Sequence, residues 1–111
     1  MRKINKPWGH EVIWAETSHY VGKILHINAG NRLSLQYHNL KEETIYVLKG
    51  TLILWNGEGE VIAIEEGRTW HNNPGDIHRF GASKEEDVVL FEVSTPHLDD
   101  VVRIEDDYKR D

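Results

Sequence analysis

Four side chains in two short segments of this 111-residue chain have the chemistry to bind a metal ion. Gln36 and His38 are separated by one residue and Glu43 follows soon after, whereas His78 comes directly after the turn-forming stretch 74–77. Imidazole, carboxylate and amide oxygen suit a borderline divalent ion, first of all zinc, and also manganese, iron, nickel or cobalt. We therefore predict that these four residues bind one divalent metal ion, with positions left open for water or substrate.

The polarity pattern predicts the strand that carries the first two ligands. Apolar and polar residues alternate over residues 32–38, as expected for a strand with two different faces. Gln36 and His38 then share a face with Arg32 and Ser34, and their neighbouring side chains form a compact chelating pair.

The other two ligands are expected at the starts of strands. Glu43 begins a strand predicted over 43–49, and an antiparallel hairpin would bring it back beside His38. The Pro-Gly-Asp turn at 74–76 is a rigid way of placing the His78 imidazole where the next strand begins.

The rest of the chain also favours short strands. They are predicted over 11–14, 20–28, 51–55, 59–64, 68–71 and 88–93. No segment has sustained helical periodicity, and Asn56-Gly57 is a strong hairpin signal. We predict a single all-β domain over 1–111, an antiparallel barrel or sandwich of the jelly-roll kind. Residues from about 99 to 111 are expected to form a C-terminal arm.

Composition excludes several classes of function. The formal net charge of −6 argues against general nucleic-acid binding, which depends on clustered Lys and Arg. No apolar run is long enough to span a membrane, and no apolar segment of a secretory signal follows the amino terminus. With no cysteine there is no disulfide framework. We expect a cytoplasmic protein, although the lack of cysteine is compatible with either compartment.

The spacing of the ligand segments resembles the two motifs of the cupin superfamily. The matching positions are Gly30-x5-Gln36-x-His38-x4-Glu43-x6-Gly50 and Gly67-x6-Pro74-Gly75-x2-His78. The resemblance implies a cupin β-barrel, the double-stranded β-helix, around a metal ion. Gln36 stands where most cupins have histidine, and Arg79 follows His78 where asparagine is usual.

Glutamine at this position resembles the phosphomannose isomerases, including the cupin domain that ends the bifunctional type II mannose-6-phosphate isomerases. Further segments of the chain are similar to that domain: Lys6-Pro7-Trp8-Gly9, residues 32–36 and residues 99–108. The resemblance implies interconversion of mannose 6-phosphate and fructose 6-phosphate through an enediol. In that family an arginine of the terminal motif belongs to the active site, and Arg103 matches it.

The remaining catalytic groups follow from what the reaction needs, namely a base and cations for the phosphate. Glu92 alternates with Leu90 and is a candidate base in the barrel interior, where burial would raise its pKa. It is equally a candidate structural acid paired with a cation. Lys23 and Arg32 are candidate phosphate contacts, and each is also compatible with a solvated surface position.

Other interpretations of the chain remain open. One is a noncatalytic metal- or sugar-binding cupin, and another is a cupin dioxygenase, which would require iron and fits Gln36 less well. Leu33, Leu35 and Tyr37 are expected on the outward face of their strand, where they would either pair two subunits in a homodimer or be buried in the sandwich.

Overall fold

The computed structural model describes residues 1–108, which form eleven β-strands. The strands are β1 (Arg2–Lys6), β2 (Gly9–Glu16), β3 (Val21–Ile27), β4 (Leu35–Tyr37), β5 (Glu43–Lys49), β6 (Leu52–Asn56), β7 (Val61–Ile64), β8 (Thr69–Asn72), β9 (His78–Gly81), β10 (Val88–Ser94) and β11 (Val102–Glu105). Within this part of the chain no helix is long and apolar enough to cross a membrane.

The strands form two antiparallel sheets. One has six strands in the order β1-β2-β3-β10-β5-β8, and the other has five in the order β11-β4-β9-β6-β7. Strands far apart in the chain are neighbours in both sheets, as in a jelly roll rather than a simple meander. The predicted all-β, jelly-roll class is confirmed.

The core lies between the sheets and follows the two-residue period of the strands. On β10, Val88, Leu90 and Glu92 point inward and are buried, whereas Phe91 and Val93 are exposed on the outer face. The same alternation on β3, β5 and β6 supplies most of the other core side chains. On the inward face of β10, two aliphatic side chains are therefore followed directly by a carboxylate.

The predicted hairpin between the first two ligand strands is wrong. β4 belongs to the five-stranded sheet and β5 to the six-stranded one, so the two strands do not pair. Residues 38–42 cross from one sheet to the other, and Glu43 meets His38 across the interior. The local pattern located both strands but could not distinguish a hairpin from a crossover.

The predicted alternation over residues 32–38 also fails at its beginning. Strand β4 is only three residues long, and Arg32 makes one isolated bridge, to Gly81. Leu33 is buried in the core, so it does not belong to an outward apolar face. Leu35 and Tyr37 remain half-buried on β4, and the homodimer stays a prediction.

The C-terminal arm folds back onto the barrel up to Tyr108, where the described residues end. β11 pairs with β4, placing Arg103 beside Gln36. Farther along, the Arg32 guanidinium binds the Asp107 carboxylate with two hydrogen bonds, of 2.5 and 2.9 Å. The arm is therefore one edge of the five-stranded sheet.

We expect Leu90→Ala to lower the free energy of unfolding by about 2–5 kcal/mol, because Leu90 is fully buried and its loss leaves a cavity. Val93→Ala, on the outer face of the same strand, should cost less than about 0.5 kcal/mol. Urea unfolding monitored by tryptophan fluorescence measures both. Equal losses would contradict the assigned faces of β10.

Candidate metal centre

Three of the predicted ligands meet in the buried interior. His38, Glu43 and His78 are 3, 2 and 1% exposed, and one possible ligand atom from each lies within 4.8 Å of the others. Glu43 Oε1 is 3.1 Å from Nε2 of His38 and 3.1 Å from Nε2 of His78. The cluster joins the two sheets, because Glu43 begins β5 of the six-stranded sheet, His78 begins β9 of the five-stranded one, and His38 directly follows β4 of that same sheet.

Backbone carbonyls fix which nitrogen of each imidazole faces the cluster. His38 Nδ1 donates to the carbonyl oxygen of Asp100 at 2.6 Å, and His78 Nδ1 donates to that of Asp76 at 2.9 Å. A carbonyl oxygen only accepts, so each Nδ1 carries a proton. In the neutral imidazoles, both Nε2 atoms then present lone pairs to Glu43.

This arrangement fits a metal ion. Two nitrogen lone pairs and a carboxylate oxygen repel one another unless a proton or a metal cation lies between them. Among residues 1–108, His78 Nε2 is a buried nitrogen without a hydrogen-bond partner, which is rare in folded proteins. Two imidazoles and one carboxylate are donors that zinc and related divalent ions prefer.

The environment keeps the third ligand ionised. Burial alone would raise the pKa of Glu43, but hydrogen bonds from His38 and His78, which form when Nε2 carries the proton, hold that pKa well below the usual value. Lys41 acts in the same direction, with Nζ 3.7 Å from Glu43 Oε2. Glu43 is therefore a carboxylate at neutral pH, as metal binding requires.

Gln36, the fourth predicted ligand, lies next to this cluster. It is the register partner of His78 across the β4–β9 pair and lines the same cavity. Its Oε1 accepts a hydrogen bond of 2.9 Å from the Ser34 hydroxyl, which orients the amide. The oxygen keeps a second lone pair, and Gln36 as a metal ligand stays a prediction.

A cavity of about 110 Å³ opens beside these ligands inside the barrel. Its lining is polar at the metal centre and apolar at Leu25, Leu33 and Phe80. The ionisable lining residues are Lys6, Glu11, Lys23, His38, Lys41, Glu43, Glu92 and Arg103. Four cationic side chains therefore face the cavity of a protein whose net charge is negative.

Glu92, the candidate base, lies in this cavity and is buried. Burial, reinforced by the nearby Glu43 carboxylate, raises the pKa of Glu92 to about 7. Lys41 Nζ lies 3.1 Å from Glu92 Oε2 as an ion pair, but outside hydrogen-bonding direction, so within residues 1–108 this oxygen accepts no hydrogen bond. One oxygen of Glu92 thus remains available to another group.

Lys41 was not singled out from the sequence. Burial opposes its charge, but Glu92 and Glu43 together raise the pKa of Lys41 to about 12. Its position, two residues before Glu43, is the signal that could have found it, since residues two apart in an extended segment share a face. Lys41 is a buried cation that joins the metal centre to the candidate base.

The three predicted cations have different surroundings. Arg103 lines the cavity, and among the described residues it has no ion pair or hydrogen bond from its guanidinium. Lys23 also lines the cavity and is paired with Glu11 at 3.4 Å. Arg32 is not among the lining residues found in the described chain, because its guanidinium lies over Trp55 and binds Asp107. Its phosphate contact stays a prediction.

Asp100 connects the arm to the metal centre. Its carboxylate accepts hydrogen bonds from the backbone N–H groups of Asn39, Leu40 and Lys41, at 2.6–3.0 Å. These bonds lower the pKa of Asp100 to about 2. Its own carbonyl holds His38 Nδ1, so one residue fixes both the crossover loop and the orientation of a ligand.

Comparison with known proteins identifies the family to which this architecture corresponds. The family model described as "Cupin domain" matches residues 23–94. Xanthan biosynthesis protein XanB of Xanthomonas campestris pv. campestris is 31% identical over 112 aligned residues, which cover 98% of this chain. The chain spans about a quarter of the length of that relative, 24%.

Solved structures share the fold. A sugar phosphate isomerase of the cupin superfamily from Silicibacter pomeroyi superposes with a TM-score of 0.70 at 20% identity, covering 78% of this chain and 58% of that one. A putative sugar phosphate isomerase from Acidithiobacillus ferrooxidans gives a TM-score of 0.63 at 22% identity, covering 69% and 50%. At these identities the superpositions establish the fold alone.

We expect His78→Ala to weaken zinc binding at least about 100-fold, since it removes one of three converging ligands. His71→Ala is the matched control, because His71 is exposed on β8, the strand that precedes β9 in the chain. Competition with a chromogenic chelator measures both affinities. Unchanged zinc affinity in His78→Ala would refute the predicted ligand set.

We expect Asp100→Ala to weaken zinc binding by about tenfold while leaving all predicted ligands in place, because the loop and the carbonyl that hold His38 lose their anchor. Asp99→Ala, at the exposed neighbouring position, should bind zinc as the parent does. The same competition assay compares them. If both variants bind zinc equally well, Asp100 has no part in ligand positioning.

Proposed function

The chain belongs to the cupin family, and on that premise we propose that it is a metal-dependent sugar-phosphate isomerase that interconverts mannose 6-phosphate and fructose 6-phosphate. The observation that carries the proposal is one cavity lined by His38 and Glu43 of the His-Glu-His cluster, by the buried Glu92 carboxylate and by Arg103. Two fold neighbours named as a sugar phosphate isomerase and a putative one support the same reaction class.

The proposed reaction moves hydrogen between two adjacent carbons without any oxidant. The C–H bond at C2 of open-chain mannose 6-phosphate breaks, and its electron pair forms the C1–C2 double bond of an enediol while O1 gains a proton. O2 then loses its proton and C1 receives one, which gives fructose 6-phosphate. The chain must supply a proton carrier and positive charge near O1 and O2.

A divalent metal, held by His38, Glu43 and His78 with Gln36 beside them, supplies polarisation of the carbonyl and hydroxyl oxygens when it is bound. The protein's contribution is to keep these donors fixed and dry. Asp100 and Asp76 hold the two imidazoles, and the apolar side of the cavity limits access of water to the reacting carbons.

Glu92 is the proposed proton carrier. Its carboxylate lies in the cavity, and Oε2 has no hydrogen bond to another described residue. Lys41 and Lys23 flank it, Lys41 at 3.1 Å and Lys23 as the register partner on β3. These cations stabilise the carboxylate form that accepts the C2 proton, and the same oxygen then returns a proton to C1.

Arg103 is the proposed stabiliser of negative charge that develops on the substrate oxygens. It is the register partner of Gln36, which in turn is the partner of His78. These pairings place Arg103 on β11, next to β4, which carries Gln36. Because its guanidinium has no other partner within residues 1–108, its N–H groups are free to donate charge-assisted hydrogen bonds.

The test is conversion of mannose 6-phosphate by the purified chain loaded in turn with zinc, manganese, cobalt and nickel, followed by proton NMR. We expect Glu92→Gln to lower kcat by about 10²- to 10⁴-fold with metal content retained, because it removes the proton carrier. Glu85→Gln, at an exposed loop position, is the control and should keep parent activity.

Absence of turnover in every metal-loaded form, on mannose 6-phosphate and on other hexose phosphates, would contradict the isomerase. Retained metal and sugar-phosphate binding in that case would instead establish a noncatalytic binding cupin. Parent-like turnover by Glu92→Gln would preserve the isomerase and refute the role of Glu92.

A further inference from the structure

The sequence Lys6-Pro7-Trp8-Gly9 plays no part in the metal centre, yet it forms one wall of the cavity. Lys6 pairs with Gly9 across the β1–β2 hairpin, so Pro7 and Trp8 are its two-residue connection. Trp8 is buried in the core, and both Trp8 and Lys6 line the cavity. The hairpin therefore anchors a half-exposed lysine at the cavity.

Gly9 fixes how closely this hairpin lies on the sheet. Its φ is +152°, and a Cβ placed there would lie 2.0 Å from the carbonyl oxygen of His26 on β3. No other residue fits so close to the backbone of β3 without displacing a strand. The close approach brings β1 and its last residue, Lys6, against the end of the barrel.

Glu11 holds two lysines at once. Its Oε1 is 3.8 Å from Lys6 Nζ, and its Oε2 is 3.4 Å from Lys23 Nζ. Glu11 and Lys23 are each 7% exposed, so this pairing is held inside the protein. Two ammonium groups share one carboxylate, which leaves one positive charge that the group does not neutralise.

The strand register fixes where Lys6, Glu11 and Lys23 lie relative to the metal ligands. Lys23 on β3 is the partner of Glu92 on β10, and Glu43 lies on β5, the strand on the other side of β10. Glu92 therefore lies between the lysines and the metal ligands. A phosphate bound at Lys6 and Lys23 and a carbonyl group at the metal ligands would then lie on opposite sides of Glu92.

We propose that Lys6 and Lys23, both held by Glu11, form a binding site for the phosphate group of the substrate, on the side of Glu92 away from the metal centre. This inference rests on the proposed function, since it assigns an orientation to the same sugar phosphate, with C1 and C2 at the metal centre. It also gives the Lys6-Pro7-Trp8-Gly9 hairpin a role in substrate binding.

Mannitol 6-phosphate is the probe, because it has the phosphate and hydroxyl groups of the substrate but no carbonyl and cannot react. Calorimetric titration of the zinc-loaded full chain should show tighter binding of mannitol 6-phosphate than of mannitol. Lys6→Met should weaken mannitol 6-phosphate about tenfold, the loss of one charge-assisted hydrogen bond. Binding of mannitol should not change.

Lys3→Met is the matched control, since Lys3 is an exposed residue of the same strand and does not line the cavity within the described chain. The double variant Glu11→Gln with Lys23→Met tests the second lysine without leaving a buried charge unpaired, and its fold is checked by circular dichroism. It should lose about tenfold in affinity as well. Equal affinity of Lys6→Met and Lys3→Met would overturn the proposal.

The phosphate site and the isomerase can fail separately. A preference for mannitol 6-phosphate that depends on Lys6, without turnover of any sugar phosphate, would support the phosphate site and refute the isomerase. Turnover of mannose 6-phosphate with the same KM in Lys6→Met and in the parent would support the isomerase and refute the phosphate site.

Discussion

The structure is organised around three buried donor groups that can share one cation. Nε2 of His38, Nε2 of His78 and Oε1 of Glu43 converge in a buried space, and the backbone carbonyls that bind each Nδ1 turn the nitrogen lone pairs toward the carboxylate. Burying a carboxylate is costly, and Lys41 with the two imidazoles offsets that cost. A metal ion bound by all three groups would also join the two sheets, and its binding would then be coupled to closure of the barrel.

The geometry of the metal centre also depends on the C-terminal arm. Asp100 binds the crossover loop and His38, and β11 carries Arg103 to the edge of the ligand strand. Farther along, Arg32 binds Asp107, and the Tyr108 hydroxyl donates to Asn31 at 3.0 Å. Arg32 therefore supports the site from outside by fixing the segment that carries Arg103. The arm therefore contributes to the cavity in two ways, since it orients His38 and carries Arg103.

The sequence predicted the components of the site better than their connections. The ligand spacing identified His38, Glu43 and His78 because it reflects strand period and turn chemistry, which are local. Three other features depend on contacts between segments that are distant in the chain. They are the placement of β4 and β5 in different sheets, the burial of Leu33, and the hydrogen bonds of Asp100 to the backbone amides of residues 39–41. Arg103 and Glu92 were predicted from family resemblance and from strand alternation, whereas the positions of Lys41 and Lys6 at the cavity follow only from the folded barrel.

The charge of the cavity makes the proposed anionic substrate compatible with an acidic protein. The net charge of −6 is spread over the surface, where salt screens its effect beyond about 10 Å. Inside the cavity, Lys6, Lys23, Lys41 and Arg103 face three carboxylates, and a divalent metal would add to the positive side. Short-range interactions in a partly dry space are much stronger than screened ones at the surface. The local excess of cations therefore outweighs the global charge and would favour the proposed phosphorylated sugar over a neutral one.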